Sequence, residues 1–379
     1  MAFKPQEVAQ ITVNGMNYRD WESVTVHLAE GESNNSFRFT CSEGKPLSKN
    51  WAEIRIKPGD HCTVKLAGEL AISGYVETRQ VAYSAEQHGI EIIGVSYNKA
   101  LADGSAMTET GEFRKKNFQQ IATKVCQPHG IKFIPKTPIS NKPFERACIP
   151  PGETGWNFLE TLARMRGITL GTDVQGNMTG RMFYTGGGDS LIEGVNILEG
   201  REVMSSSQGD GPNNVIGQEG GSNVNFGPAV AHGPNASSQG RNNFGKGVHA
   251  PNVNVAEHPT DKKDAQTRAD GESKQRGSEK LQVTIVVQGW LKPSGGLWKP
   301  GAKAHVKSPM LILDEPLNIK SVTFTQDSKS GTRTTLELTN DEGAGSENDA
   351  KGPDFSQKSD TGGPNFDAST APRSPSLGE

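Results

Sequence analysis

The chain is short of the residues that would give it a simple chemistry. Only four of its 379 residues are cysteine (Cys41, Cys62, Cys126 and Cys148), and no two of them form a Cys-x-x-Cys pair. That spacing argues against a zinc site or a redox couple. It favours buried, reduced thiols, with Cys41 and Cys62 in register with apolar neighbours, and suits a reducing cytoplasm. An excess of one charge is also missing. Forty Lys and Arg against 43 Asp and Glu leave a net charge of −3. This gives no electrostatic case for sequence-specific nucleic-acid binding or for a membrane surface. Apolar residues make up only 33% of the chain. No apolar run reaches the roughly 18 residues of a spanning helix, and residues 1–10 lack an apolar core, so neither stable membrane insertion nor a signal peptide is expected.

Catalytic patterns are missing too. Gly186-Gly187-Gly188-Asp189 lacks the Lys-Ser/Thr of a phosphate loop, and no strand-to-helix unit surrounds it, so it reads as a turn. There is no Gly-x-Ser-x-Gly elbow. The eight histidines are dispersed: His27 and His61 sit on the solvent side of strands, and His129 in a helix-ending loop. His232, His249 and His258 share a low-complexity stretch, where zinc would need a fourth ligand and a packed shell. Of the carboxylates, Glu153 and Glu160 lie near a helix start and Asp173 in a later turn. A glycosidase needs two carboxylates about 5–10 Å apart in a cleft, whereas Glu153 is accounted for by the helix dipole. The reading is therefore no catalytic, cofactor-binding or metal-ligating residues, no cofactor, and not an enzyme.

What the chain does have is alternation. Val283, Ile285 and Val287 alternate with Thr284 and Gln288, a period of two that only Val286 interrupts, and Val322 and Phe324, and Leu336 and Leu338, alternate with polar residues. This is half-buried antiparallel strand. The stretch Asp327-Ser328-Lys329-Ser330-Gly331 joins two of these runs as a hairpin loop. Near the start, Ile11-Thr12-Val13, the turn Asn14-Gly15, and the runs around Val24–Leu28, Phe37–Cys41, Cys62–Leu66, Ile72–Val76 and Ile90–Val95 repeat the pattern, with Pro58-Gly59-Asp60 as a turn. Five or six strands in about 90 residues suggest a closed barrel or sandwich.

Between these regions the period changes. Phe118, Ile121, Ala122 and Val125 stand at i, i+3, i+4 and i+7, an amphipathic helix ended by Pro128 and Gly130. Ile131-Lys132-Phe133-Ile134 follows as a strand. Thr154 is the N-cap of a second helix, with Phe158, Leu162 and Met165 on one stripe and Trp156, Leu159 and Ala163 on the next. Gly167 stops it, and strand, turn and strand follow at Ile168–Leu170, Asp173–Gly176 and Met178–Met182. Residues 219–262 are mostly Gly, Asn, Ser, His and Pro, with no period; they read as a loop or disordered insertion. Phe226 and Phe244 in it either tuck against the protein's own surface or anchor the loop on a partner. Residues 263–280 are highly charged and read as an exposed helix or linker. Residues 341–379 carry eight acidic and three basic residues and read as a polar tail.

One ordered series of motifs carries a resemblance. The strand ending in Gln288-Gly289-Trp290 is followed by Gly295-Gly296-Leu297-Trp298-Lys299-Pro300-Gly301. Then come the run Met310-Leu311-Ile312-Leu313, a Val322-x-Phe324 hairpin, and Gly331-Thr332-Arg333-Thr334-x-Leu336-Glu337-Leu338. This order resembles the last barrel of the baseplate hub protein of Mu-like contractile-tailed phages. The opening barrel of that family is similar to Asn14-Gly15, Trp21, Ser23–Val26, Pro58–Asp60 and Gly74–Val76. The segment from Leu159 to Leu170 also recurs in hub and spike proteins of contractile injection systems, and Asn214–Gln218 resembles the strand that begins the last barrel. The resemblance covers roughly the first 200 residues and 280–340.

The expected fold is therefore mainly β with an α+β middle domain: two β-barrel or sandwich domains flanking a small α+β domain. The expected boundaries are 1–98, 99–190 and 191–340, the last containing the insertion at about 219–262 and the charged linker at 263–280, followed by the tail 341–379. The resemblance implies a structural hub in the virion tail baseplate, assembled in the host cytoplasm. It implies a homotrimer whose duplicated barrels give a pseudo-six-fold ring. That ring would join a hexameric tail tube, or its distal initiator, to a trimeric central spike, and form part of the DNA exit channel. Tape-measure and wedge or sheath-initiator proteins are further implied partners. The alternatives are a tail-associated peptidoglycan hydrolase with its site in the middle domain, and the hub of a tailocin or secretion-type injection system.

Overall fold

The computed structural model describes residues 7–43, 56–83, 88–205, 213–218, 235–238, 252–259, 262–278 and 281–340. The early alternation forms β1 (Ala9–Val13), β2 (Met16–Tyr18), β3 (Ser23–Ala29), β4 (Ser36–Glu43), β5 (His61–Leu66), β6 (Glu69–Tyr83) and β7 (His88–Ser96). The Asn14-Gly15 turn between β1 and β2 has both residues at positive φ, 51° and 79°, the geometry that matches strand twist in a two-residue hairpin. The late alternation forms β18 (Leu281–Gln288), β19 (Lys303–Ser308), β20 (Leu313–Asp327) and β21 (Gly331–Thr339), preceded by β13 (Ser190–Ile192) and β14 (Glu199–Met204). The expected hairpin between β20 and β21 is built by Asp327, whose carboxylate accepts from the amides of Lys329 (2.7 Å) and Ser330 (2.6 Å).

These thirteen strands make one continuous sheet, ordered β14-β18-β21-β20-β3-β4-β7-β6-β5-β1-β2, with β19 pairing β20 and β13 pairing β19. The mainly-β reading with a small helical part holds. Among the described strands, however, neither end of that order pairs back on another strand, so the observed pairing is an open series rather than two closed barrels. The late region is spliced to the early one through β20 and β3, antiparallel, with Val322 opposite Leu28, Phe324 opposite Val26 and Gln326 opposite Val24. One hydrophobic core consequently runs through both, from Ile11, Phe37 and Phe39 to Ile285, Trp290 and Phe324, all at most 2% exposed.

The two regions repeat each other. β3-β4-β7-β6-β5 and β14-β18-β21-β20-β19 have the same order and the same antiparallel neighbours. β6 and β20 are both 15 residues long, and β7 and β21 both nine. Each long strand carries a register shift at the same place, between Val76 and Thr78 in one and between Ile319 and Ser321 in the other. Such a shift bends a strand and increases its twist. Lys57-Pro58-Gly59 precedes β5 as Lys299-Pro300-Gly301 precedes β19. The Gly59 amide donates to the Val76 carbonyl at 2.8 Å, and the Gly301 amide to the Ile319 carbonyl at 2.8 Å.

A second core lies between. α1 (Lys99–Asp103), α2 (Phe118–Cys126) and α3 (Gly155–Met165) pack on β9 (Phe133–Pro135), β11 (Thr169–Thr172) and β12 (Met178–Arg181), with β8 (Glu112–Lys116) pairing β10 (Phe144–Cys148). The expected stripes are buried: Phe118, Ile121, Ala122 and Val125 on α2, and Trp156, Phe158, Leu159, Leu162, Ala163 and Met165 on α3. Asn117 caps α2 reciprocally with Gln120, and the Thr154 hydroxyl accepts from the Asn157 amide at the start of α3.

Three expectations are corrected. The strand at β15 (Asn213–Gln218) does not begin the late region of the sheet; β13 and β14, which precede it in the chain, stand there. β15 instead joins β16 (Asn235–Ser238) and β17 (Asn252–Pro259) in a separate three-stranded sheet. The low-complexity stretch therefore contributes two strands, because backbone pairing needs no apolar period; its remaining residues, with Phe226 and Phe244, lie outside the described ones. The charged stretch forms α4 (Lys262–Ser278), and it is not simply exposed. Asp264, Ala265, Arg268, Ala269 and Ser273 form a buried stripe. Asp264 is held by Lys142 at 3.0 Å and by Arg166, whose guanidinium also lies 4.0 Å from the Phe144 ring centre. Charged residues can be buried on such a helix because each one is paired.

Candidate functional site

The carboxylates weighed for hydrolysis each have a local structural setting. Glu160 is 43% exposed and faces Arg164 at 3.9 Å along α3. Asp173 organises its turn, accepting from the amides of Gln175 (2.9 Å) and Asn177 (2.8 Å). Glu153 directly precedes the Thr154 cap. Gly186 and Gly187 take positive φ, 77° and 122°, in a stretch with no regular structure. Asp189 behind them is buried and anchors a neighbouring loop, accepting from the Ser294 amide (3.0 Å), the Ser294 hydroxyl (2.8 Å) and Lys292 (3.2 Å). Burial works to raise the Asp189 carboxyl, but those donors hold it below its ordinary value.

The thiols are free, and Cys62 and Cys126 are buried, which pushes both up to about 12. At that value they are poor nucleophiles and poor ligands. Among the described residues no three His, Cys, Asp or Glu side chains converge on a metal-sized space. His61 is exposed, hydrogen bonded to the Tyr97 hydroxyl at 3.1 Å, and the side chains of His232, His249 and His258 lie outside the described residues.

The structure concentrates its unusual features at seams and edges instead. At the splice, His27 Nδ1 is hydrogen bonded to Thr323 Oγ1 at 2.9 Å, and its Nε2 lies 3.6 Å from Glu32. Bonding to that carboxylate raises His27 above its ordinary value. Directly after β3, Glu30 is 6% exposed and pairs with Arg181 of β12 at 2.6 Å. Arg181 in turn donates to the Gly301 carbonyl at 2.6 Å. One guanidinium thus ties the early sheet, the central core and the late sheet together. Burial pushes Glu30 up to about 7 against the pull of Arg181 and Lys136. Gly301, at φ 79°, makes room for this: a Cβ there would lie 1.8 Å from Arg181 Nη1. Gly59, its counterpart in the early region, has nothing within 4 Å. The seam is completed by Asn98, which donates to the Ser33 carbonyl (2.7 Å) and Thr172 Oγ1 (2.9 Å).

The edges carry exposed apolar side chains beside their charged ones. β14 exposes Val203 and Met204, and the far half of β6 exposes Val81 and Tyr83. The run Met310-Leu311-Ile312 is not strand but a turn, and it leaves Met310 and Ile312 each 83% exposed. Glu193 braces that turn, accepting from the Ser308 hydroxyl (2.5 Å) and the Met310 amide (3.1 Å).

Comparison with known proteins says what kind of protein carries these seams and edges. Residues 8–96 match the family model of the Mu phage baseplate assembly protein GpP-like N-terminal domain, residues 99–179 the second domain of the gp44-like baseplate hub protein, and residues 261–347 the fourth domain of the GpP baseplate assembly protein. The baseplate hub protein gp44 of Escherichia phage Mu is 23% identical over 297 residues, covering 76% of this chain and 77% of that protein. The chain belongs with the Mu-like baseplate hub proteins. The fold agrees. The 43 kDa tail protein of prophage MuSo2 from Shewanella oneidensis matches with a TM-score of 0.74 at 26% identity, over 89% of this chain and 98% of that one. A tail protein from Neisseria meningitidis MC58 matches with a TM-score of 0.71 at 18% identity, over 88% and 96%. This hub-type chain is a structural protein of the phage tail baseplate, located in the virion tail.

Sequence reasoning took the repetition of the two β-regions only from the resemblance and missed its visible signal in this chain, Lys57-Pro58-Gly59 and Lys299-Pro300-Gly301. It also missed β14, whose Gly200 and alternating charges hide a strand, and the Glu30–Arg181 clasp, whose members are 151 positions apart in the sequence.

Proposed function

We propose that three copies of this chain close a ring at the centre of the baseplate, joining a hexameric tail tube to a trimeric central spike. The repetition of one sheet topology within the chain carries this reading. Three chains with two like units each offer six quasi-equivalent positions on one side while keeping three-fold symmetry on the other, and that reconciles the two neighbours. The boundaries that follow are an early unit at 1–98, a central unit at 99–190 and a late unit at 191–340, with 341–379 as a tail. The bore of the ring would form part of the DNA exit path without reading sequence.

The spike protein and the tube protein, or its distal initiator, are the principal partners in this proposal; tape-measure and wedge or sheath-initiator proteins are further ones. The chain acts without enzymatic activity, since the energy of contraction would be supplied by the sheath. Assembly takes place in the host cytoplasm, where free thiols persist.

Light scattering of the purified full chain tests this. A mass near three times 40.6 kDa is the expected result. A chain that stays monomeric at assembly-like concentration, even after its cognate spike protein is added, overturns the ring.

A further inference from the structure

The two Lys-Pro-Gly turns occupy the same place in the repeated β-regions, and only one of them is covered. His61 opposite Tyr75 corresponds to Lys303 opposite Asn318. The Val76 amide donates to the Asp60 carbonyl as the Ile319 amide does to the Ala302 carbonyl, both at 2.9 Å. Asp60 therefore stands where the late region has Ala302. Glu77, skipped by the register shift of β6, stands where β20 has Lys320. The residue before each turn, Ile56 in one and Trp298 in the other, is buried.

The late turn is a seat for a guanidinium. Arg181 packs where a Gly301 side chain would stand, gives Nη1 to the Gly301 carbonyl at 2.6 Å and gives Nη2 to Glu30 at 2.6 Å. The early turn has the same backbone, with Gly59 at φ 89° against 79° for Gly301. Yet Gly59 is exposed, nothing lies within 4 Å of a Cβ built on it, and among the described residues no group donates to its carbonyl. The two exchanged residues beside it are acidic. Asp60 is half-buried, with Oδ2 accepting from the Lys57 amide at 2.8 Å. The Glu77 side chain is 40% exposed; Lys99 stands 3.8 Å from it and is closer to Asp103, at 3.0 Å. A carbonyl with carboxylates beside it is the acceptor set that a planar guanidinium fork fits.

We propose that the early turn, Lys57-Pro58-Gly59 with Asp60 and Glu77, is a second guanidinium seat, open in the single chain and filled by an arginine of the trimeric spike protein. The inference rests on the ring reading. In a ring of three chains the Gly301 seats are closed from within by Arg181, and the Gly59 seats alternate with them. A six-fold partner would meet closed and open seats in turn and could not treat its own subunits alike. A three-fold partner meets only equivalent open seats, which selects the spike over the tube. The internal copy also selects arginine over lysine. Arg181 spans a carbonyl and a carboxylate with two different nitrogens, a reach that the single nitrogen of an ammonium lacks.

The test is calorimetric titration of the full chain with its cognate spike protein, with light scattering of the chain alone beside it. Asp60→Arg and Glu77→Arg should each weaken binding roughly tenfold or more, since each sets a like charge against the incoming arginine. Glu69→Arg, exposed at the opposite end of the β5–β6 hairpin, should leave binding unchanged. Asp60 also holds the Lys57 amide, so Glu77→Arg is the variant that spares the turn. Changing the arginines of the spike protein to glutamate one at a time should find one that weakens binding to the wild-type chain and restores binding to Glu77→Arg. Unchanged affinity in both acid variants, or no such arginine, overturns the seat and leaves the ring standing. A loss of the three-chain mass in the acid variants without spike protein assigns the seat to a neighbouring copy and overturns the spike as its occupant. A wild-type chain that stays monomeric and binds no spike protein overturns both readings.

Discussion

At Glu30 the electrostatics of one side chain become a property of the whole fold. Its carboxyl is buried and moved up to about 7 from an ordinary 4.5, so between those values the folded chain holds a proton that the unfolded chain releases. Stability from this group is complete below about 4.5 and is lost as pH rises through about 7. His27, raised by Glu32, acts in the same direction: its contribution is complete below 6.5 and lost above its folded value. Glu30→Gln keeps the volume and a hydrogen-bonding group while removing the titration. Wild-type chain should lose thermal stability between pH 5 and pH 8, and the variant should lose clearly less. Equal slopes in thermal melts across that range would show that Glu30 does not titrate there. Removing Arg181 is a different change, since it strands a buried carboxyl, a loss of about 3–5 kcal/mol.

Among the elements, the splice of β20 onto β3 matters most, because it converts two small sheets into one with a shared core. Phe324 is fully buried there, opposite Val26. Phe324→Ala removes a ring from a packed site and should cost about 3–5 kcal/mol in denaturant unfolding. Val81, which occupies the same place in the early region, is 47% exposed. Val81→Ala should therefore change the unfolding of the isolated chain by less than about 1 kcal/mol. Equal costs at the two positions would mean that Val81 is already covered within one chain. α4 gives a second lesson at this scale. A helix with almost no apolar residues is held by Arg166, Lys142 and paired charges along its own turns, so its burial follows from its partners rather than from its period.

For the whole molecule, assembly and stability are coupled. If sheet edges are completed only between copies, the folded ring is favoured by mass action and the unfolded chain is not. The midpoint of thermal unfolding should therefore rise with chain concentration. A midpoint that stays constant over a hundredfold range would argue that each chain is complete alone.

The sequence by itself determined the local structure and much of the family. Period-two alternation placed β3, β4, β18 and β21, and the helical stripes placed α2 and α3, because those signals depend only on which residues neighbour each other along the chain. The ordered motifs around Gly295–Gly301 and Pro58–Asp60 pointed to the hub family for the same reason, since turns are written in contiguous residues. Tertiary structure decided the rest. Asn213–Gln218 looks as much like a sheet-forming strand as Glu199–Met204 does, and only pairing with Leu281–Gln288 chooses between them. The joining of two sheets through β20 and β3, the burial of a charged helix, and the meeting of Glu30, Arg181 and Gly301 each bring together residues far apart in sequence. What holds them is desolvation and register, quantities that do not exist until the chain has folded.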